Sequence, residues 1–137
     1  MSSINRPLAG PVLAFDLDEQ IAALRAEEPY RRSGRAGRTL AKSGRFRLVL
    51  TAMQTGSEIG THQADSPMTL QVVQGALHFN TNGQAYTLNA GQVLFFGPGE
   101  AHDIRAAEES ALLLTLSAIG DDYRPEESLE AEGSGLA

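Results

Sequence analysis

The sequence predicts an all-β domain, an antiparallel sandwich or barrel, with one helix near its N-terminus. About eight short apolar or alternating segments follow residue 38, and turn residues separate them at intervals typical of such folds. The chain has 14 glycines in 137 residues, several of them between the apolar segments. Its length suits one domain, and its apolar content of 42% suffices for a buried core.

The one predicted helix spans residues 16–28. Asp16 and Glu19 have the spacing of a capping box, in which each side chain binds a backbone amide of the first turn. The segment carries a single apolar stripe at helical spacing, formed by Leu17, Ile21 and Leu24. Pro29 is expected to end the helix. We expect residues 1–15 to form an extended arm and residues 31–37 a basic loop.

The strands are predicted from short apolar segments and the turns between them. They span residues 39–42, 45–53, 68–73, 76–79, 84–88, 93–96, 102–106 and 111–118. Ser43-Gly44 and Asn82-Gly83 are typical of tight hairpins. The predicted organisation is therefore an arm, helix and loop over residues 1–37, a barrel over 38–119 and a disordered acidic tail over 120–137.

Charge is distributed unevenly along the chain. The net charge is −6, and six carboxylates against one arginine after residue 120 contribute −5 of it. Eight of the eleven basic residues cluster, namely Arg25, Arg31, Arg32, Arg35, Arg38, Lys42, Arg45 and Arg47. Because few aromatic residues interleave with them, we interpret the cluster as a solvated loop and strand edge and do not expect nucleic-acid binding.

Several classes of site and location are excluded or disfavoured. The chain has no cysteine, which excludes disulfides, thiolate metal sites and cysteine nucleophiles. No apolar segment approaches the roughly 20 residues needed to cross a bilayer, and the N-terminus lacks the pattern of a signal peptide. We therefore expect a cytoplasmic protein without a membrane partner. Phosphate-binding loops, nucleophile elbows and zinc-protease helices are also absent from the sequence.

Two segments carry a recognisable pattern of glycines and histidines. The first has Gly56, His62 and Gly75, and the second has Gly91, Gly99 and His102. With these spacings, residues 45–118 resemble the cupin superfamily, whose two motifs bring metal ligands together. The resemblance implies a double-stranded β-helix, or jelly-roll barrel.

The resemblance also implies an incomplete set of metal ligands. His62 and His102 stand at two of the family's four ligand positions, whereas Ala64 and Met68 stand at the second histidine and the glutamate. Alanine has no donor atom, and a thioether suits Cu(I) better than hard divalent ions. A divalent Zn, Ni, Mn or Fe site would therefore need another ligand. The candidates are Gln54, Asp65, Gln71 and His78.

The favoured hypothesis is a barrel that binds a small molecule in its interior. The expected pocket residues are His62, Met68, Leu70, Val72, Phe95, His102 and Ile104. The alternatives are a metal-dependent enzyme of dioxygenase or isomerase type that uses His62 and His102, two purely structural histidines, and a sensor or interaction module that acts through residues 31–38. The sequence leaves open whether any reaction is catalysed. Open sheet edges and the family resemblance both predict a homodimer.

Two further features of the histidine segments have simple expected roles. His78 lies between Leu77 and Phe79 and is expected to point outward. Glu100 and Asp103 flank His102, where they either orient its ring or are solvated.

Overall fold

The computed structural model describes residues 9–63, 66–81, 83–99 and 101–117. Two helices come first, α1 (Leu17–Ala26) and α2 (Glu28–Ser33). Strands within these residues follow in the order β1 (Arg35–Ser43), β2 (Phe46–Met53), β3 (Glu58–Gln63), β4 (Met68–Gln74), β5 (Ala76–Thr81), β6 (Gln84–Asn89), β7 (Val93–Phe96), β8 (Ala101–Ala106) and β9 (Ser110–Ser117). The predicted all-β class with helical structure at the N-terminal side is confirmed.

The strands form two antiparallel sheets. The five-stranded sheet has the order β1-β2-β9-β4-β7, and the four-stranded sheet has the order β3-β8-β5-β6. Most consecutive strands lie in different sheets, for example β2 and β3, or β7 and β8, whereas β1–β2 and β5–β6 are hairpins within one sheet. This crossing between two facing sheets is the arrangement of a jelly roll.

Apolar residues form two separate clusters, one on each face of the five-stranded sheet. The interior cluster lies between the sheets and includes Leu70, Leu77, Ile104 and Leu114. The outer cluster lies between the helices and the same sheet, and it contains these buried residues: Ile21, Leu24, Tyr30, Ala36, Leu40, Leu50, Ala52 and Ala111. The helices therefore cover part of the sheet that forms the interior on its other side.

Strand β2 is buried on both faces. Val49 and Met53 belong to the interior cluster, whereas Leu50 and Ala52 belong to the outer cluster. The sequence predicts one buried face for this strand, because Phe46, Leu48 and Leu50 occupy alternate positions and arginines stand between them at the start of the strand. The helices bury the second face.

The segment around Pro29 differs from its prediction. Pro29 lies in the first turn of α2, where the missing amide proton costs no hydrogen bond, so it begins a second helix after the first has ended at Ala26. Residues 31–37 are not a loop, because α2 continues to Ser33 and β1 begins at Arg35. Gly34, with φ of 84°, makes the turn between them.

The basic cluster is partly built into the fold. Arg38 is 7% exposed and donates hydrogen bonds to Gln20 Oε1 at 2.7 Å and Glu27 Oε2 at 2.5 Å. Arg35 is also buried, and it donates to the carbonyl of Glu58. The interpretation of the whole cluster as solvated is therefore wrong for Arg35 and Arg38, which join β1 to the helices and to β3.

Several other features complete the comparison with the sequence. Strand β3 was not among the predicted strands, since Glu58–Gln63 lacks an apolar alternation. Most of the predicted arm and the predicted acidic tail lie outside the described residues.

Among the described helices, none combines the length and the apolar character needed to span a membrane.

Candidate functional site

The two histidines of the resemblance meet in the backbone of the four-stranded sheet. His62 on β3 is the direct antiparallel partner of His102 on β8. The ladder is irregular between Ile59 and His62, so the register shifts just before this pair. The spacing of the two motifs therefore brings the two predicted ligand positions to adjacent strands.

His102 is buried in a group of aromatic rings. It is 3% exposed, and its ring stacks on Phe96 with centroids 4.2 Å apart and an interplanar angle of 15°. Phe79 lies 5.8 Å from His102 and 4.8 Å from Phe96, measured between ring centroids. Tyr86 extends the group on the other side of Phe79, at 5.9 Å. The three distances measured from Phe79 lie within the range for favourable aromatic pairs.

The aromatic group connects the two sheets. Phe96 is on β7, the outer strand of the five-stranded sheet, whereas His102, Phe79 and Tyr86 are on β8, β5 and β6 of the other sheet. Cross-strand pairing aligns Phe79 with Tyr86 on one side and with Ile104 on the other. The rings therefore connect the outer strand β6 of the four-stranded sheet with the outer strand β7 of the five-stranded sheet. We call this boundary between the two sheets the seam.

A cavity of about 270 Å³ opens at this seam. Its described lining consists of Phe79, Thr81, Tyr86, Leu94, Phe95, Phe96 and Gly97. None of these side chains carries a charge, and the hydroxyls of Thr81 and Tyr86 are the polar side-chain groups among them. The tyrosine hydroxyl donates to Gln84 Oε1 at 2.6 Å. The arrangement suits a small, mainly apolar molecule that contacts ring faces.

The pocket residues expected from the sequence divide into two groups. Met68, Leu70, Val72, His102 and Ile104 are at most 3% exposed, and the four apolar ones belong to the interior cluster. Phe95 is placed differently: it is 69% exposed and lies on the outer face of the five-stranded sheet, opposite Thr69. Phe95 therefore does not lie in the interior, where Phe96 is placed instead, but it does line the seam cavity.

Of the aromatic residues of the cavity, Phe95 was expected from the sequence, whereas Phe79, Tyr86 and Phe96 were not. The segment Val93–Phe96 is apolar throughout, so alternation could not distinguish Phe95 from Phe96. Phe79 could have been found, because it alternates with His78, which is exposed as expected. Tyr86 lies on a mostly exposed strand and has no comparable signal.

The described residues do not form a complete metal-ligand set. No group of three histidine, aspartate, glutamate or cysteine side chains occurs in the part of the chain that the structure describes. Met68, at the family's glutamate position, is 2% exposed within the interior cluster. Gln71 is exposed, Gln54 donates to the carbonyl of Tyr30 at 3.1 Å, and His78 is also exposed. Gln54 is therefore engaged elsewhere, and Gln71 and His78 lie on exposed faces of their strands, while Ala64 and Asp65 lie outside the described residues.

The residues around His102 have roles of their own. Asp103 accepts a hydrogen bond from Asn80 Nδ2 at 3.0 Å. This contact joins β8 to β5, and alternation along β8 directs Asp103 away from the face of His102. Glu100 lies outside the described residues. His78 approaches Thr87 Oγ1 at 3.4 Å on the exposed face of the sheet.

Comparison with known proteins agrees with this geometry. A family model described as "Cupin domain" matches residues 49–118. No curated protein matches the sequence. Among solved structures, a cupin-2 domain protein from Shewanella frigidimarina has a TM-score of 0.62 at 18% identity, with 75% of this chain and 93% of that chain covered.

Two other similar solved structures belong to individually named proteins. KdgF from Halomonas sp. has a TM-score of 0.57 at 20% identity, covering 66% of this chain and 86% of that one. Salicylate 1,2-dioxygenase from Pseudoaminobacter salicylatoxidans has a TM-score of 0.71 at 16% identity, covering 82% of this chain and 37% of that one. At such identities the likeness concerns the fold alone.

Proposed function

Since the chain belongs to the cupin family, we propose that it binds a small, mainly apolar organic molecule at the seam between its two sheets. The observation that carries this proposal is the cavity of about 270 Å³ lined by Phe79, Tyr86 and Phe96. A cavity of about 150 Å³ accommodates benzene, so this one suits a molecule of one or two rings. Most ligand sites are similarly apolar, with a few polar groups that orient the ligand.

The site in this proposal lies beside the interior rather than within it. The sequence-based hypothesis places the molecule among Met68, Leu70, Val72 and Ile104, but these side chains are packed in the interior cluster. The seam cavity reaches the same region through Phe96, which stacks on His102. In this proposal His102 supports the ring of Phe96 from behind the ligand.

The proposal is tested with two probes, neutral indole and anionic benzoate. Titration of each into isotope-labelled protein should shift the amide resonances of Thr81, Tyr86 and Gly97, more strongly for indole because the described lining carries no charge. Tyr86→Ala should weaken indole binding about two- to tenfold, since an aromatic contact contributes about 0.5–1.5 kcal/mol.

A blocking variant provides the decisive control. A Cβ added to Gly97 meets no atom within 4 Å, and the φ of Gly97 is not in the left-handed region, so Gly97→Leu adds a large side chain to the cavity lining without straining the backbone. Val93→Ala serves as the matched exposed variant, because Val93 is 60% exposed and does not line the cavity. Equal indole binding by Gly97→Leu and the unmodified chain would show that the seam is not the site.

A metal-dependent enzyme remains the second candidate. The observation in its favour is the direct pairing of His62 with His102. The chemistry of the donor set opposes it, because Ala64 and Met68 replace two of the four family ligands and catalytic sites for zinc ordinarily have three protein ligands. The residues therefore do not fit a family metal site, and no catalytic step is derived through one.

Elemental analysis distinguishes the two candidates. We expect much less than one equivalent of metal per chain after purification without chelator, and the same content in His62→Ala and His102→Ala. About one equivalent of metal that both variants lose would support the enzyme instead.

The homodimer is a proposal of its own. The outer strands of the described sheets are β1 and β7 in one and β3 and β6 in the other. Unpaired backbone groups on such strands favour pairing with another chain. Sedimentation at several concentrations tests whether the chain self-associates.

A further inference from the structure

The outer face of the five-stranded sheet has an apolar patch that the helices leave uncovered. On this face, Leu50 and Leu113 pack under the helices in the outer cluster. Beyond them, Phe46 on β2 and Val93 and Phe95 on β7 remain 43%, 60% and 69% exposed. A contiguous group of exposed apolar side chains commonly marks an interaction surface. We call this group, with the side chains between its members, the outer patch.

Most of the outer patch comes from a part of the chain without charged residues. Residues 66–99, which contain β4 to β7, have no lysine, arginine, aspartate or glutamate, although these four types make up 20% of the chain. Edge strands of soluble proteins commonly carry charges that discourage association, but β7 at the edge of its sheet has none. The cores of protein interfaces are likewise poor in charge and rich in aromatic residues. The outer patch therefore suits a partner surface that is itself uncharged.

Phe95 stands between two recesses of the surface. It lines the seam cavity, and together with Phe46 it also lines a second groove of about 160 Å³. Cross-strand pairs place Thr69 next to Phe95, and Thr115 next to Thr69, so two threonines lie between the two phenylalanines. A cavity of about 150 Å³ accommodates benzene, so the groove has the size of one phenyl ring.

We propose that a second copy of the chain packs on the outer patch, with Phe95 of each copy in the groove of the other. The outer patch has a protruding phenyl ring beside a recess of the size of a phenyl ring, and this makes it complementary to itself. A two-fold axis forms both contacts at once, because each copy presents the same surface. This inference rests on the proposed homodimer and names its surface, which is a sheet face in place of the sheet edges.

The area of the outer patch predicts a weak, reversible dimer. A buried aromatic side chain contributes about 150–250 Å², so Phe46 and Phe95 at their exposed fractions supply roughly 200 Å² per copy. This is about a quarter of the roughly 800 Å² per partner in a standard stable interface. Val93 and the side chains between the two rings enlarge the contact. We therefore expect a dimer that dissociates on dilution.

Sedimentation of the full chain at several concentrations measures this association. Phe95→Lys should keep the chain monomeric where the unmodified chain dimerises, because a charge would be buried in each groove without a partner. Phe95→Ala should raise the dissociation constant about tenfold or more, as for aromatic residues at the centre of an interface. Neither change should unfold the chain, since Phe95 is largely exposed.

Ala85→Lys is the matched control for the added charge. Ala85 is exposed on the outer face of the four-stranded sheet, where it pairs with the exposed Asn80. This variant should dimerise like the unmodified chain. High salt should not weaken the dimer of either protein, because screening acts on charges and the outer patch has none.

A nitroxide label locates the surface directly, because the chain has no cysteine of its own. Nitroxide-labelled Ser43→Cys without isotope is mixed with isotope-labelled unmodified protein, so that only contacts between copies broaden the resonances. Ser43 is exposed and pairs with Phe46 at the border of the outer patch. We expect broadening at the amides of Thr69, Phe95 and Thr115, relative to a diamagnetic label. A label at Ala85→Cys should leave these resonances sharp.

The results separate this surface from the homodimer itself. A monomer at every concentration would overturn both. A dimer that Phe95→Lys leaves intact, or a mixed sample without broadening at Thr69 and Thr115, would overturn the surface alone and favour the sheet edges. Binding of indole at the seam is measured independently, so its failure would not be mistaken for failure of this contact.

Discussion

At the scale of single residues, Tyr30 shows how a buried polar group attaches a helix to the sheets. It is 4% exposed, and its hydroxyl donates to Glu109 Oε2 at 2.5 Å. Arg25 Nε lies 3.5 Å from the same carboxylate atom. Burial raises the pKa of Tyr30 to about 12, and the hydrogen bond to Glu109 and its charge contribute in the same direction, whereas Arg25 opposes them.

This pKa shift predicts a loss of stability in alkaline solution. Tyr30 is neutral in both the folded and the unfolded chain below pH 10, so its full contribution is present there. Between pH 10 and about 12 the unfolded chain releases the proton while the folded chain retains it. The free energy of unfolding should therefore fall by up to about 1.4 kcal/mol per pH unit from this group.

Urea denaturation at several pH values measures this effect. Tyr30→Phe should be less stable at neutral pH, by about 0.5–1.5 kcal/mol, because it loses the hydrogen bond to Glu109, whose half-exposed carboxylate keeps its contact with Arg25. Its stability should decline less steeply between pH 10 and 12 than that of the unmodified chain. Identical alkaline slopes for the two proteins would contradict the assignment.

At the scale of elements, the connections between strands depend on backbone positions that only certain residues can occupy. Gly75 joins β4 to β5 with φ of 86°. An added Cβ there would collide with the carbonyl oxygen of Glu109 and with Ser110. The hydroxyl of Ser110 in turn accepts from the amide of Ala76 at 3.1 Å, and its proton is shared between the carbonyls of Glu108 at 2.7 Å and Ala76 at 3.1 Å. These hydrogen bonds hold the turn before β5 against the start of β9.

Gly75→Ala should be strongly destabilising. The left-handed φ alone costs about 1–2 kcal/mol for an L-residue, and the collision with backbone atoms adds to it, so we expect a total loss above about 3 kcal/mol. Gly91→Ala is the matched control, since Gly91 has φ of 91° but open space around its Cβ position. Urea denaturation should give a loss near 1 kcal/mol for that variant. Similar losses for both would show that the collision is relieved.

At the scale of the whole molecule, the five-stranded sheet is shared by two clusters. Leu114 on β9 faces the interior, while Ala111 and Leu113 of the same strand pack toward the helices. The family model begins at residue 49, so α1, α2 and β1 precede the matched region. The helices nevertheless bury Leu50 and Ala52 of that region. The molecule should therefore unfold as one unit.

Leu24→Ala tests whether the helices and the sheets unfold together. Leu24 is fully buried in the outer cluster, so its truncation should cost about 2–5 kcal/mol. Circular dichroism of the strands and the fluorescence of the tyrosines should follow one transition, shifted together to lower urea. Val12→Ala, at a residue 83% exposed, should leave that transition in place. Separate transitions for helices and sheets would mean that the helices are an independent layer.

Local patterns in the sequence determined the strands, the turns and the histidine motifs. The alternation around His78 and Phe79 and the turns at the motif glycines follow from neighbouring residues. These features depend on backbone preferences and on the two-residue period of a strand, which a sequence displays directly.

Tertiary structure alone decided which faces are buried and where the cavity opens. Whether Phe95 or Phe96 faces the interior depends on the register of β7 against β4. Because the segment is apolar at every position, its sequence does not indicate this register. The burial of Arg38 depends on Gln20 in α1 and Glu27 between the two helices, and the sequence of β1 does not contain them. Contacts between different elements determine both outcomes, and no single segment encodes them.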